Sequence, residues 1–287
     1  MIDLDPATVL LQWAVGGLFL LWVTSRRREV GIGYGWTMRI TFGLMAAGSM
    51  VVGLLFNTVP LREVATAGVV LATGVALIVS VARRRAGVAG QRVVEEQRST
   101  RVAEMTGIDV DVAEKASRFD PDIPEFPPIL DIAAPVLGLV ALVAAGVDAG
   151  GPLGLSLART LVGAVFLGAV SDAMLLGHWY LVQPGLARGP LVELVWWTGL
   201  AWPFELAVLL WPTGMVSVLN GTIDDGYNGL LGWFWAACAV STIVLVGLTR
   251  AALRERQYSA VMAATGLLYL AILTAFGMDL VARAVLV

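Results

Sequence analysis

The chain has 287 residues, 58% of them hydrophobic and 14% charged, with a net charge of -3 and a mean hydropathy of +0.81. One soluble core cannot hide that much apolar side chain, so the composition excludes an ordinary water-soluble domain and makes lipid the solvent. Nucleic-acid binding is excluded too, because the 19 basic residues form short clusters at the ends of apolar runs and not a stripe; the single cysteine, Cys238, leaves no disulfide framework, iron–sulfur cluster or cysteine zinc site.

A spanning helix needs roughly 20 mostly apolar residues, and eight stretches qualify, at about 8–24, 36–56, 64–82, 129–147, 153–177, 190–211, 229–249 and 258–284. The expected fold class is all-α, a polytopic helical membrane protein of about eight transmembrane helices in a lipid bilayer. The first stretch is read as a retained helix and not a cleaved signal, because Asp3 and Asp5 precede it while Arg26, Arg27 and Arg28 follow it. Positive residues in short loops stay cytoplasmic. Arg26, Arg27 and Arg28, then Arg83, Arg84 and Arg85, then Arg188, and finally Arg250, Arg254 and Arg256 all fall on one side when eight spans are counted. Both termini are therefore expected outside, with Arg62 the main exception among the opposite gaps at 57–63, 148–152 and 220–228. Trp22, Trp36, Trp179, Trp196 and Trp197 near the arginine side, and Trp211, Trp233 and Trp235 near the other, suit an interfacial aromatic belt.

The expected organisation is three spans over 1–85, a cytoplasmic loop over 86–128 and five spans over 129–287. The loop is the one soluble-looking stretch. Residues 91–105 suit a polar helix lying on the membrane or on another protein, and Asp109 can cap a second short helix to about Arg118. Pro121, Pro124, Pro127 and Pro128 then enforce an extended approach to the fourth span. Its acid pairs lack the EF-hand spacing and glycine, so the loop reads as a docking surface for protein subunits and not as a metal site. Eight spans divide into two fours of like orientation, which permits a parallel but not an inverted repeat.

Ionisable residues far from a membrane face are costly, so they direct attention to a site. Arg39 and Arg283 lie near span ends and are expected to snorkel; Asp279 precedes Arg283 by four residues and can pair with it. The fifth span carries Arg159 and Asp172 and ends in Gly177, His178, Trp179, Tyr180 and Leu181, His178 being the only histidine in the chain. The sixth carries Glu193, Trp196, Trp197, Pro203 and Glu205. Proline at 203 interrupts its hydrogen bonding in midmembrane, and Glu205 just beyond can pair with Arg159.

A quinone head needs a donor such as His178 or Tyr180, a nearby acid and aromatic walls close to a membrane face. His178, Trp179, Tyr180, Asp172, Glu193, Trp197, Glu205 and Arg159 form that candidate ligand-binding set, although His178, Trp179 and Tyr180 equally suit interfacial anchoring. A lone histidine excludes bis-histidine haem; a single haem would need His178 with a methionine or an external ligand. Nucleophile-elbow, Walker A and zinc-protease motifs are missing, so no catalytic residue is assigned. Three readings follow: a membrane subunit or anchor of a larger assembly of respiratory type, binding a quinone or other lipid-like ligand near the cytoplasmic ends of spans five and six; a secondary transporter using intramembrane acids and the proline-broken sixth span; and a lipid-modifying membrane enzyme.

The Gly-His-Trp-Tyr-Leu string at 177–181 and the segment 264–270 ahead of Asp279 resemble stretches of uncharacterised bacterial polytopic membrane proteins. The resemblance implies the plasma membrane of a bacterium and carries no activity.

Overall fold

The structure, a computed structural model, describes residues 2, 4–89, 120, 122–183, 186–211, 214–255 and 257–286. Among the described residues, eight helices are long and apolar enough to cross a membrane: α1 (Pro6–Ser25), α2 (Ile32–Phe56), α3 (Pro60–Ala82), α4 (Ile129–Asp148), α5 (Leu153–Val182), α6 (Gly189–Leu210), α7 (Leu230–Ala252) and α8 (Tyr258–Val285). A single helical turn, Met215–Leu219, sits between α6 and α7, and the described residues contain no strand. Large apolar side chains such as Leu44, Leu55, Leu71, Ile78 and Leu273 are well over half exposed. Such surface suits hydrocarbon and not water, and the chain is a multi-pass helical protein built for a bilayer. The helices expected over 91–105 and near Asp109 lie outside the described residues.

Local chemistry sets the helix ends. Asp5 caps α1 by accepting the Thr8 amide at 2.7 Å, with proline next at the first helical position. Pro60 starts α3 in the same way after a three-residue turn from α2. Ahead of α7, Asp225 accepts amides from Tyr227 and Gly229 in the loop and from Leu231 and Gly232 in the first helical turn, at 2.8–3.4 Å.

Two rings of four helices make up the bundle. In the first, α1 packs on α2, α2 on α3, α3 on α4, and α4 back on α1; α5, α6, α7 and α8 close the second in the same order. The equivalent members α1 and α5 join the rings. Small residues allow that crossing: a Cβ on Gly16 would sit 1.8 Å from the Ala164 carbonyl oxygen, and one on Gly168 2.2 Å from the Gly16 carbonyl carbon. The backbones thus touch, as small residues permit in membranes. α1 is the most enclosed span, with 72% of its apolar window buried.

One end of the bundle carries Arg26, Arg27, Arg28, Arg188 and Arg250; the other holds Ile2 and Leu286, the first and last described residues, which line one cavity there. These are called the arginine end and the terminal end. Arg62, the exception to the charge pattern, lies at the terminal end and is 1% exposed. It bonds both Asp5 oxygens at 3.1 and 2.8 Å and Glu63 at 2.8 Å, so its charge is neutralised locally and tethers the start of α1 to α3. Arg39 differs from the snorkelling expectation. Its guanidinium is buried, makes two 2.8 Å bonds to Asp131 of α4, and lies 4.4 Å from the Phe126 ring centroid. A carboxylate brought from another span removes the need to reach a headgroup.

Candidate intramembrane polar site

Four helices bring polar side chains to one level near the terminal end. Gln12 of α1, Arg159 of α5, Glu205 of α6 and Asp279 of α8 each lie about 8–9 Å inside their helix ends, at about 1.5 Å rise per residue. All four are buried. Arg283, one turn beyond Asp279, grips it with two bonds of 2.7 and 2.8 Å, the pairing expected from their spacing. Arg159 donates its Nε to the Val208 carbonyl at 2.9 Å. That oxygen has no backbone donor four residues on, because Pro212 has no N–H. With its Nε so engaged, Arg159 makes no direct ion pair with Glu205; both line the same cavity with Asp279 and Arg283.

This cavity offers about 20 Å³ to the centre of a water molecule, room for about one. Around this level three buried polar atoms have no hydrogen-bond partner: Gln12 Oε1, Glu205 Oε2 and Arg283 Nη1. Leaving each unsatisfied costs about 1–3 kcal/mol. Gly163 marks the centre of the group, since a Cβ there would lie 2.8 Å from Gln12 Nε2, 3.5 Å from Arg283 Nη2 and 3.7 Å from Glu205 Oε2. Gln12 is itself held to α5 through the carbonyls of Arg159 and Thr160 at 3.1 and 2.8 Å.

A second polar point lies further along α5, towards the arginine end. Asp172 is fully buried and neither of its carboxyl oxygens has a partner. The Tyr34 hydroxyl of α2 is also buried and has no hydrogen-bond partner. On the neighbouring residue, Ser171 Oγ accepts the Trp13 indole N–H of α1 at 2.8 Å. An isolated carboxylate in apolar surroundings is heavily penalised, so Asp172 is not explained by packing.

The remaining candidates have separate partners. His178 is exposed and its Nδ1 lies 2.9 Å from the Tyr269 hydroxyl of α8. Trp179 is half-buried against Tyr34, with its indole N–H on Gln183, and the Tyr180 hydroxyl donates to the Ala187 carbonyl. Glu193 accepts from Arg26 at 2.6 Å and also pairs with Arg27. Trp197 meets Phe19 and Trp196 edge to face. Of the residues expected to form a site, the structure unites Arg159 with Glu205 and leaves Asp172 within the core. Gln12 and Gly163 escaped sequence reasoning because neither is charged. Asp279 and Arg283 were visible as an i, i+4 pair, but their meeting with Glu205 depends on tertiary packing.

The chain matches no protein-family model, no curated protein and no solved structure in comparisons with each.

Proposed function

We propose that the protein is a secondary transporter of a small anionic solute, coupled to protons, in the plasma membrane of a bacterium. The observation that carries this reading is the water-sized cavity lined by Arg159, Glu205, Asp279 and Arg283, in which Glu205 Oε2 and Arg283 Nη1 have no partner. The two arginines and two acids sum to zero when all are ionised. A proton on Glu205 leaves the group at +1, a state that attracts an anion, and release of that proton removes the attraction. Asp172, on the same helix as Arg159 but nearer the opposite end, is a second acid suited to passing a proton onward. The arginine clusters support a cytoplasmic arginine end and external termini. The alternative of an assembly subunit binding a quinone has less support, because His178, Tyr180, Glu193 and Trp197 are each engaged by a different neighbour.

The test is uptake of radiolabelled acetate, lactate, succinate and phosphate into proteoliposomes under an imposed proton gradient. At least one should accumulate, and Glu205→Gln should abolish its accumulation while the protein stays folded by gel filtration. Uptake of none, or uptake unchanged in Glu205→Gln, refutes the proposal.

A further inference from the structure

Most arginines of the arginine end are engaged. Arg26 and Arg27 hold Glu193, Arg28 meets Glu125, Arg39 holds Asp131, Arg83 reaches the Glu125 carbonyl, and Arg188 donates to the carbonyls of Leu253, Glu255 and Gln257. Arg250 and Arg254, like Arg84 and Arg85, make no side-chain hydrogen bond or ion pair among the described residues, and these two share one pocket. Arg250 lies in the last turn of α7 and Arg254 two residues beyond its end at Ala252. Arg188, just ahead of α6, donates to the carbonyls of Leu253 and Glu255 on either side of Arg254, which ties this backbone to the start of α6.

Between the two helices lies a pocket of about 100 Å³, lined by Arg250 and Arg254 together with Val192, Val195 and Leu253. Val192 and Val195 are three and six residues inside α6, so the apolar wall descends about 5–9 Å from the bundle end. Charge therefore lies at the mouth, beside Leu253, and the deeper floor at Val192 and Val195 is hydrocarbon. Val192 is 38% exposed and Trp196, one turn deeper, 46% exposed, so the apolar wall continues on to the outer surface of α6. A soluble phosphate would satisfy the mouth and leave that floor unused.

We infer that this pocket binds one anionic phospholipid, its phosphate between Arg250 and Arg254 and the start of an acyl chain against Val192, Val195 and Leu253. Arginine suits phosphate through charge and its planar set of donors, and basic pockets between spans are recognised binding places for such headgroups. The inference stands independently of the transport proposal.

Native mass spectrometry of the full-length protein from nanodiscs of phosphatidylglycerol mixed with phosphatidylcholine should show one retained phosphatidylglycerol. Arg250→Gln/Arg254→Gln should lower its occupancy at least tenfold, while Arg84→Gln/Arg85→Gln, which removes equal charge at the same end, should leave it within twofold. Equal retention in the first double variant, or equal loss in both, overturns the inference. Retention abolished by millimolar inorganic phosphate also overturns it, because the floor would then contribute nothing. Should the double variant fail to fold, photo-crosslinking of the unaltered protein with a diazirine-tailed phosphatidylglycerol decides: adducts concentrated on α6 near 192–196 support the site, and adducts spread over all spans refute it.

Discussion

Replacing Gly163 by alanine separates the polar site from the fold. The added methyl would lie 2.8 Å from Gln12 Nε2, too close for Gln12 to keep its position. Its bonds to the Arg159 and Thr160 carbonyls, at 3.1 and 2.8 Å, would be lost, at about 1 kcal/mol each. Better helix propensity returns at most about 1 kcal/mol, and less in a bilayer, where the isolated span is already helical. Because Nε2 is the far end of a flexible side chain, overpacking adds no more than about 1 kcal/mol. The net expectation is a loss of about 1–2 kcal/mol, together with displacement of Gln12 from its place beside Glu205. Gly266→Ala is the control, because a Cβ at Gly266 meets nothing within 4 Å. Unfolding in nanodiscs, followed by tryptophan fluorescence, should show Gly163→Ala destabilised and Gly266→Ala unchanged or slightly stabilised. Solute uptake by folded Gly163→Ala should fall at least tenfold. If Gly163→Ala matched Gly266→Ala in stability and the unaltered protein in uptake, Gln12 and the cavity would have no role.

Two further predictions concern the fold. Arg39→Met and Asp131→Leu should each cost about 3–5 kcal/mol by leaving a buried charge without its partner, whereas the double replacement should cost less than either alone; additive losses in the same unfolding assay would show that the pair is not coupled. At Asp225, burial raises the carboxyl pKa, but hydrogen bonds from Gly229, Tyr227, Leu231 and Gly232 outweigh it and hold the value below the ordinary aspartate range. The folded pKa thus lies below the unfolded one, so the cap is at full strength above about pH 4 and weakens as pH falls through the lowered value. Amide exchange at Leu231 and Gly232 should accelerate on acidification beyond its intrinsic pH dependence, and Asp225→Ala should remove that extra response; an unchanged response in the variant would place its origin elsewhere.

The spans could be read from the sequence because apolar length is a local property, and the bounds of all eight agree with the expected ones to within five residues. Charge pairing could not, except within one helix. Asp279 and Arg283 announce themselves at i, i+4, but Arg39 finds Asp131 92 residues away. Arg62 looked like a break in the charge rule until Asp5 and Glu63 closed around it. Glu205, Arg159 and Asp172 stand out in the sequence because they are charged and far from a span end. Gln12, Tyr34 and Gly163 do not, since their importance comes from what faces them. The aromatic string after Gly177 drew attention by composition, although its members face different neighbours.

The enclosed position of α1 also has a consequence in time. Gln12 bonds residues 147 and 148 positions later, and Trp13 bonds one 158 positions later. At about 5–20 residues per second of synthesis, the first helix waits roughly 7–30 s for α5, with an amide and an indole donor still unsatisfied. The span most central to the finished bundle is thus the first made, yet it is completed only after α5. Its early neighbours α2 and α4, together with the insertion machinery, must shelter it until the glycine faces of α1 and α5 can meet.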